Sequence, residues 1–117
     1  MWEIEGTDEF AEWYGSLAAD EQEIIDQSVE VLERRGPLLG RPLVDTLAHS
    51  RHANMKELRP PSSSIRILFA FDPRRMAILL LGGDKQGEWE RWYTVNIPRA
   101  DDRYDEHLET LRKERLI

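Results

Sequence analysis

The sequence predicts an α+β fold, in which a small mixed or antiparallel β-sheet of about four strands carries an N-terminal helix pair on one face and is followed by C-terminal helices. Two observations support this prediction. Apolar runs at residues 65–71 and 76–81 are separated by a turn-like sequence at residues 72–75, which is typical of a β-hairpin. Apolar residues recur at helical spacing on both sides of this hairpin. The predicted order of elements is β-α-α-β-β-β-α-α.

The N-terminal third predicts one strand and two helices. Residues 2–5 alternate apolar and acidic side chains, as an edge strand with one buried face does. Thr7 is placed to cap a first helix, and the second helix is expected to begin near Asp20 and end at the Gly-Pro pair of residues 36–37. The first helix would bury a single stripe of four residues, Phe10, Trp13, Tyr14 and Leu17.

The middle of the chain predicts a long connection followed by three consecutive strands. Residues 38–54 give mixed signals and are interpreted as the connection, and residues 55–59 form a candidate strand that ends at Pro60. The two hairpin strands are apolar on both faces, which indicates that they are central strands covered on both sides. The exception is Arg66, which needs a partner or an anion because an unpaired buried charge is costly.

The C-terminal part predicts two further helices. Trp89, Trp92, Tyr93 and Asn96 recur at helical spacing, and Pro98 is expected to start a separate helix in its first turn. The inner stripe of that last helix would contain Ala100, Tyr104, His107, Leu108 and Leu111.

Composition is consistent with one cytoplasmic domain spanning residues 1–117, without a membrane span or a disulfide, because there is no long apolar run and no cysteine. The net charge of −7 is unevenly distributed. Residues 1–33 contain 11 acidic and no basic side chains, whereas residues 34–85 contain 10 basic and 4 acidic ones. A basic middle segment gathered on one face could attract a polyanion, and a merely solubilising dipolar surface is the alternative.

Common enzyme motifs are absent from the sequence, which contains no P-loop, dinucleotide fingerprint, nucleophile elbow or zinc signature. His49 and His52 are interpreted as loop residues, since no acidic third ligand is close to them in the sequence.

Several short stretches together resemble the RelE/ParE superfamily of type II toxins, and most closely its HigB-like, phage Gp49-related branch. The stretches are residues 55–59, 65–69, 80–85 and 92–104, and the resemblance covers nearly the whole chain. It implies a RelE-like fold and a toxin that cleaves messenger RNA, usually on the ribosome. It also implies a cognate antitoxin, often a helix-turn-helix protein, as partner. In related toxins the RNA is attacked by its own 2′-hydroxyl without a metal, so no cofactor is expected.

The resemblance also assigns site residues. Arg66 matches the arginine of the third strand and Lys85 matches the basic residue after the fourth, while Lys56 and Arg59 lie on the strand that supplies further basic residues. Glu57 stands where some nuclease members have lysine. Lys56 and Arg59 should also point to opposite faces of the sheet, because side chains alternate along a strand.

RNA self-cleavage needs a base, an acid and cations around the phosphorus, and Arg66 and Lys85 suit the cationic role. Their structural alternatives are a salt bridge from Arg66 to Asp84 or Glu57, and a solvated Lys85. The remaining candidates for acid–base work or base stacking are Tyr93, His107 and Tyr104, for which packing in the core is the alternative.

Two other functions fit the same resemblance. A ParE-like poison of gyrase would act without cleaving RNA, and an inactive member would only bind its antitoxin.

Overall fold

The computed structural model describes residues 1–117, which form a five-stranded sheet, three α-helices and a short 3₁₀ turn at Gly36–Leu38. The strands are β1 (Ile4–Gly6), β2 (Val44–Thr46), β3 (Lys56–Leu58), β4 (Ile65–Phe71) and β5 (Ala77–Asp84). The helices are α1 (Asp8–Gly15), α2 (Ala19–Arg35) and α3 (Trp89–Lys113). None of the helices combines the length and the apolar composition that crossing a membrane requires.

The strands are arranged in the order β1-β5-β4-β3-β2. β1 is parallel to β5, and the other neighbours are antiparallel, so the predicted mixed sheet and α+β class are confirmed. The predicted hairpin is the centre of this sheet, because β4 and β5 each have a strand on their other side.

Two apolar layers cover the sheet. On one face, α1 and α2 pack on side chains that include Ile67, Phe69 and Leu79. On the other face, α3 packs on Leu68, Ala70 and other residues of the two central strands. Apolar side chains on both faces of β4 and β5 therefore serve two cores, as their sequence predicts.

The helix ends follow local sequence signals. The hydroxyl of Thr7 accepts a hydrogen bond from the backbone N–H of Phe10 (3.0 Å) and donates one to the carbonyl of Leu80 (2.7 Å), so this cap also ties α1 to β5. Helix α2 ends at Gly36, whose φ of 59° is a left-handed value that glycine adopts without strain.

The strand β2 corrects the prediction that residues 38–54 form a long connection without a strand. It pairs antiparallel to β3, with Val44 opposite Leu58 and Asp45 opposite Glu57. Three residues are too few to show alternation, and only Val44 among them is buried, so sequence periodicity gave no strand signal here. The sheet thus has five strands, one more than predicted.

The helix α3 corrects the prediction of two C-terminal helices that meet at Pro98. This single helix has 25 residues and continues through Pro98 without a break. Pro98 lies on the exposed face, where water can satisfy the backbone carbonyl that the missing N–H leaves free. Ile97 and Ala100 are buried against the sheet on either side of it, so tertiary packing holds the helix continuous.

Two glycines near the end of β5 let the flanking helices approach the sheet closely. A Cβ on Gly82 would overlap the ring of Trp13, and one on Gly83 would lie 2.5 Å from Nε1 of Trp92. A register shift between Leu68 and Phe69 precedes this region. The contact of Trp92 with Gly83 sets the distance between α3 and the ends of β4 and β5, and a cavity lies between these elements.

Candidate functional site

A cavity of about 830 Å³ lies between the N-terminal half of α3 and the adjoining ends of β3, β4 and β5. The loop after β2 closes its far side. Six of its lining residues are ionisable side chains that lie on α3 or on and next to the strands, namely Glu57, Arg59, Arg66, Lys85, Glu90 and Tyr93. The wall also includes Leu47, His49, Trp89 and Thr94.

Strand register brings the charged residues to one face. Glu57 is opposite Leu68, and Arg66 is opposite Gly83, so all of these positions face α3. Arg59 follows Glu57 by two residues and therefore points the same way. Because Gly83 has no side chain, it leaves room beside Arg66 for the ring of Trp92.

Glu57 is a carboxylate with only 3% of its surface exposed, and three side chains compensate its charge. The Tyr93 hydroxyl donates to Oε1 over 2.5 Å, and Nη2 of Arg59 donates to Oε2 over 3.2 Å. Nε of Arg66 lies 3.5 Å from Oε1. Two guanidinium groups and a phenol thus offset the desolvation of one buried charge.

Arg66 is held from two directions. Its Nη1 donates to the carbonyl oxygens of Ile65 (2.7 Å) and Ser63 (3.4 Å), whereas its buried Nε makes no hydrogen bond despite its ion pair with Glu57. Of the two salt-bridge partners considered for Arg66, the structure therefore contains Glu57. Asp84 instead accepts from the Ser64 hydroxyl over 2.5 Å.

Arg59 bridges two carboxylates, since its Nη2 also donates to Asp45 over 3.3 Å. Burial works to lower the pKa of Arg59, but the hydrogen bond and the charge of Glu57 outweigh burial and raise that pKa above its ordinary value. Arg59 is therefore a permanent cation of the cavity.

Among the cavity residues, Tyr93 has the pKa that is shifted furthest from its ordinary value. Burial, followed by the hydrogen bond to the Glu57 carboxylate, raises the pKa of Tyr93 to about 12. At neutral pH its hydroxyl keeps the proton and acts as a donor.

Lys85 follows the last residue of β5, and its backbone N–H donates to the carbonyl of Ser64 over 3.1 Å. Its Nζ lies 5.4 Å from the ring centroid of Trp89. Lys85 makes no salt bridge, so its charge is available to an anion in the cavity.

Three of the residues predicted for the site lie elsewhere. Lys56 points to the opposite face from Glu57, and its Nζ contacts Oγ1 of Thr46 over 3.3 Å. Nε2 of His107 lies 2.9 Å from Asp72, and His107 is 14 residues beyond Tyr93, about 21 Å along the helix at 1.5 Å per residue. Tyr104 is buried in the core under α3.

The cavity residues that were not predicted as members of the site include Glu57, Trp89 and His49. Glu57 was noted only as a departure from the family pattern, although a carboxylate between basic residues signals an ion-pair network. Trp89 was interpreted as part of a helical stripe, and His49 as a loop residue. Placing His49 in the cavity wall requires the position of the loop that follows β2, which the sequence does not reveal.

This loop is fixed to α3 by the buried carboxylate of Asp101, which accepts from the Ser50 hydroxyl and from the backbone N–H of Arg51. The Arg51 side chain reaches Asp102 and Asp105 as well, at 3.0 and 2.5 Å. These contacts hold the neighbouring His49 against the cavity.

The five-stranded sheet in the order β1-β5-β4-β3-β2, with a cationic cavity between the sheet and α3, defines a class of small α+β proteins. Residues 12–105 match the family described as phage derived protein Gp49-like, and the chain belongs to this family. Its sequence is HigB-like and its fold is RelE-like.

Two relatives from Mycobacterium tuberculosis are named as toxins. The chain is 55% identical to HigB3 over 96 residues, which cover 82% of this chain and 84% of the relative. It is 52% identical to HigB2 over 99 residues, covering 82% of this chain and 49% of the relative, so the chain spans about half the length of HigB2.

Solved structures share the fold at low sequence identity. The isolated RelE toxin of E. coli aligns with a TM-score of 0.60 at 15% identity, over 83% of this chain and 99% of that one. RelE in the archaeal RelE–RelB complex of Pyrococcus horikoshii aligns with a TM-score of 0.59 at 11% identity, over 74% and 97% of the two chains. These likenesses establish a RelE-like fold.

Proposed function

We propose that the protein is the toxin of a type II toxin–antitoxin system and an endoribonuclease that cleaves messenger RNA, in the cytoplasm and on the ribosome, by attack of the RNA's own 2′-hydroxyl. One observation supports this proposal most directly: a cavity lined by three cationic side chains, two of which pair with a buried carboxylate that is hydrogen-bonded to a phenol. The family membership and the toxin names of the two relatives agree with it.

The cations would bind the scissile phosphate. Arg66 supplies a guanidinium charge held in a fixed position and Lys85 a compact ammonium charge, while Arg59 adds a third positive charge in the same cavity. As the pentavalent phosphorus forms, negative charge builds up on its oxygens, and fixed cations stabilise that state more than the substrate.

Glu57 and Tyr93 would move the protons. The 2′-hydroxyl gives its proton to the Glu57 carboxylate, its oxygen bonds to the phosphorus, and the bond from phosphorus to the 5′-oxygen breaks. Tyr93 gives its proton to the leaving 5′-oxygen and recovers one from Glu57 across their 2.5 Å hydrogen bond. The products are a 2′,3′-cyclic phosphate and a 5′-hydroxyl end.

The partner would be a cognate antitoxin, which we expect to be a helix-turn-helix protein. RelE chains have been solved in RelE–RelB complexes from Pyrococcus horikoshii and Methanococcus jannaschii, and the RelBE2 toxin–antitoxin complex of Mycobacterium tuberculosis has the same toxin fold. By analogy, an antitoxin would keep this chain inactive until it is removed.

The test is induction of the chain without an antitoxin, followed by mapping of 5′-hydroxyl RNA ends in the arrested cells. New ends inside translated frames are expected from the wild type. The Arg66→Ala, Lys85→Ala double variant should lower cleavage by about a hundredfold or more, because each cation contributes to transition-state stabilisation.

The matched control removes two charges far from the cavity. Arg34 and Lys113 are exposed residues near helix ends, so the Arg34→Ala, Lys113→Ala variant should cleave as the wild type does. Growth arrest with intact messages would contradict the proposal and indicate a gyrase-type poison. No arrest at all would indicate a chain that only binds its partner.

A further inference from the structure

Trp89 differs from the other three tryptophans in how it is packed. Trp2, Trp13 and Trp92 each cover a glycine of the fold, at Gly36, Gly82 and Gly83 respectively, where any Cβ would meet the ring. Trp89 covers no glycine and leaves 56% of its surface exposed at the first position of α3. With more than half of its surface exposed, this ring buries less apolar area than the rings of the other three tryptophans, which are part-buried.

The surroundings of Trp89 suit one type of ligand. The ring lines the same cavity as Arg66 and Lys85, and Nζ of Lys85 lies 5.4 Å from its centroid. An aromatic face beside phosphate-binding cations is the arrangement with which proteins hold single-stranded nucleic acid, because each nucleotide joins a stackable base to a phosphate. A paired duplex keeps its bases stacked on each other and cannot offer one to the ring.

We propose that the Trp89 ring is a stacking platform for the base of a nucleotide next to the scissile phosphate, so that the substrate is RNA unpaired at that position. The proposal rests on the ribonuclease function proposed above and adds a base-binding subsite to it. Stacking tolerates any base, so the subsite selects single-stranded RNA and contributes little to sequence preference.

The test uses a single-stranded oligonucleotide with 2′-deoxyribose at the cleavage position, which binds but cannot be cut because the attacking hydroxyl is absent. Binding should quench tryptophan fluorescence in the wild-type protein. Trp89→Phe should bind within a few-fold of the wild type but lose the quench, since the remaining tryptophans do not contact the ligand. Trp89→Ala should bind about five- to a hundredfold more weakly.

An abasic nucleotide next to the deoxyribose position supplies a second measurement. Removal of that base should weaken binding to the wild type as much as Trp89→Ala does, and should have little further effect on the Trp89→Ala variant. On cleavable RNA, Trp89→Ala should raise KM more than it lowers kcat.

Trp2→Phe is the matched control, because Trp2 also lies beside a cation, with Cζ of Arg75 5.3 Å from its ring, but outside the cavity. It should keep both the quench and the affinity. Equal affinity of wild type and Trp89→Ala, or a quench that survives in Trp89→Phe, would overturn the platform. A wild-type protein that shows the Trp89-dependent quench but cuts no RNA would contradict the ribonuclease function and leave the platform standing.

Discussion

At the scale of single residues, Glu57 and Tyr93 are the centre of the cavity. A carboxylate with 3% exposure is tolerated because Tyr93, Arg59 and Arg66 surround it, and removing any of these partners would leave charge uncompensated. Such a network fixes the orientation of its members. It therefore holds the proposed acid and base in place before RNA binds.

The Glu57→Gln variant should lower kcat about a hundredfold or more, because an amide cannot take up the proton of the 2′-hydroxyl. The same change should lower the pKa of Tyr93 from about 12, since the hydrogen bond and charge of Glu57 contribute to that shift after burial. Cleavage kinetics and tyrosinate absorbance during an alkaline titration measure the two effects.

Asp45→Asn provides the control, as Asp45 also binds Arg59 but lies outside the cavity. It should change kcat only a few-fold. Thermal unfolding of both variants must show a folded protein, because each removes a partner of Arg59. A Glu57→Gln protein that cuts RNA at the wild-type rate would exclude Glu57 as the base.

The raised pKa of Tyr93 also has a stability consequence. The folded protein binds this proton more tightly than the unfolded chain, whose tyrosine has the ordinary value of 10.0. The contribution to stability is therefore complete below pH 10.0 and is lost as pH rises towards about 12.

At the scale of elements, the continuity of α3 decides which predicted residues reach the cavity. Arg66 was identifiable as a site residue because a cation within an apolar strand is costly without a function or a partner. The sequence pattern could not show that Tyr93 lies in the cavity and His107 does not, since both residues lie on helical stripes. A break at Pro98 would have allowed the last turns to fold back, whereas the straight helix carries His107 about 21 Å away.

The short strand β2 and the loop that follows it could not be predicted from the sequence. Three residues carry too little periodicity to predict a strand, and the loop is positioned by Asp101, which is about 50 residues away in the chain. Long-range polar contacts of this kind leave no local signal. The apolar hairpin, in contrast, was predictable, because strands that are buried on both faces consist of consecutive apolar residues.

His107 instead joins α3 to the turn between β4 and β5. Oδ2 of the buried Asp72 lies 2.9 Å from Nε2 of His107 and also accepts from the Arg74 guanidinium, while Oδ1 accepts from the backbone of Arg74 and Met76. Burial works to raise the pKa of Asp72, but the hydrogen bonds from His107, Met76 and Arg74 outweigh it, and the pKa is lowered.

Two expected outcomes follow for this junction. His107→Leu should destabilise the protein by about 1–3 kcal/mol, because the buried Asp72 carboxylate loses this hydrogen bond, and should leave the RNA cleavage rate of the folded protein unchanged. Because the folded pKa of Asp72 is depressed, its contribution to stability is present above the ordinary value of 3.8 and is lost as pH falls through the lower folded value. Asp72→Asn should therefore be less stable at neutral pH and less sensitive to acid.

Chemical denaturation at several pH values, combined with the cleavage assay, checks both outcomes. Glu30→Gln is a suitable control, since Glu30 is an exposed carboxyl on α2 without an ion pair. A His107→Leu protein that is fully stable but inactive would restore His107 to the catalytic residues.

At the scale of the whole molecule, the charge is divided between two faces. The helices α1 and α2 on one side of the sheet carry nine acidic side chains and two basic ones, Arg34 and Arg35 at the end of α2, and the cavity with its three cations lies on the side of α3. An acidic face repels RNA, so the field would direct a polyanion towards the cavity. The same acidic face is available to a basic protein segment, which we expect the antitoxin to provide.

Neutralising this face should weaken antitoxin binding and reduce its salt dependence. Glu12, Glu23 and Glu30 are exposed on α1 and α2. Changing all three to Gln should lower the slope of affinity against salt concentration, because exposed charges within about 10 Å of a partner contribute attraction that salt screens.

The matched control changes three exposed carboxyls at the C-terminal end of the chain, Glu106, Glu109 and Glu114, to Gln. Isothermal titration with the purified antitoxin at several salt concentrations should show the reduced slope for the first variant alone. If the wild-type complex were insensitive to salt, or if both triple variants changed the slope equally, the acidic face would not be the docking surface. The antitoxin would then have to be held by apolar contacts or by the cationic cavity, where it would compete directly with RNA.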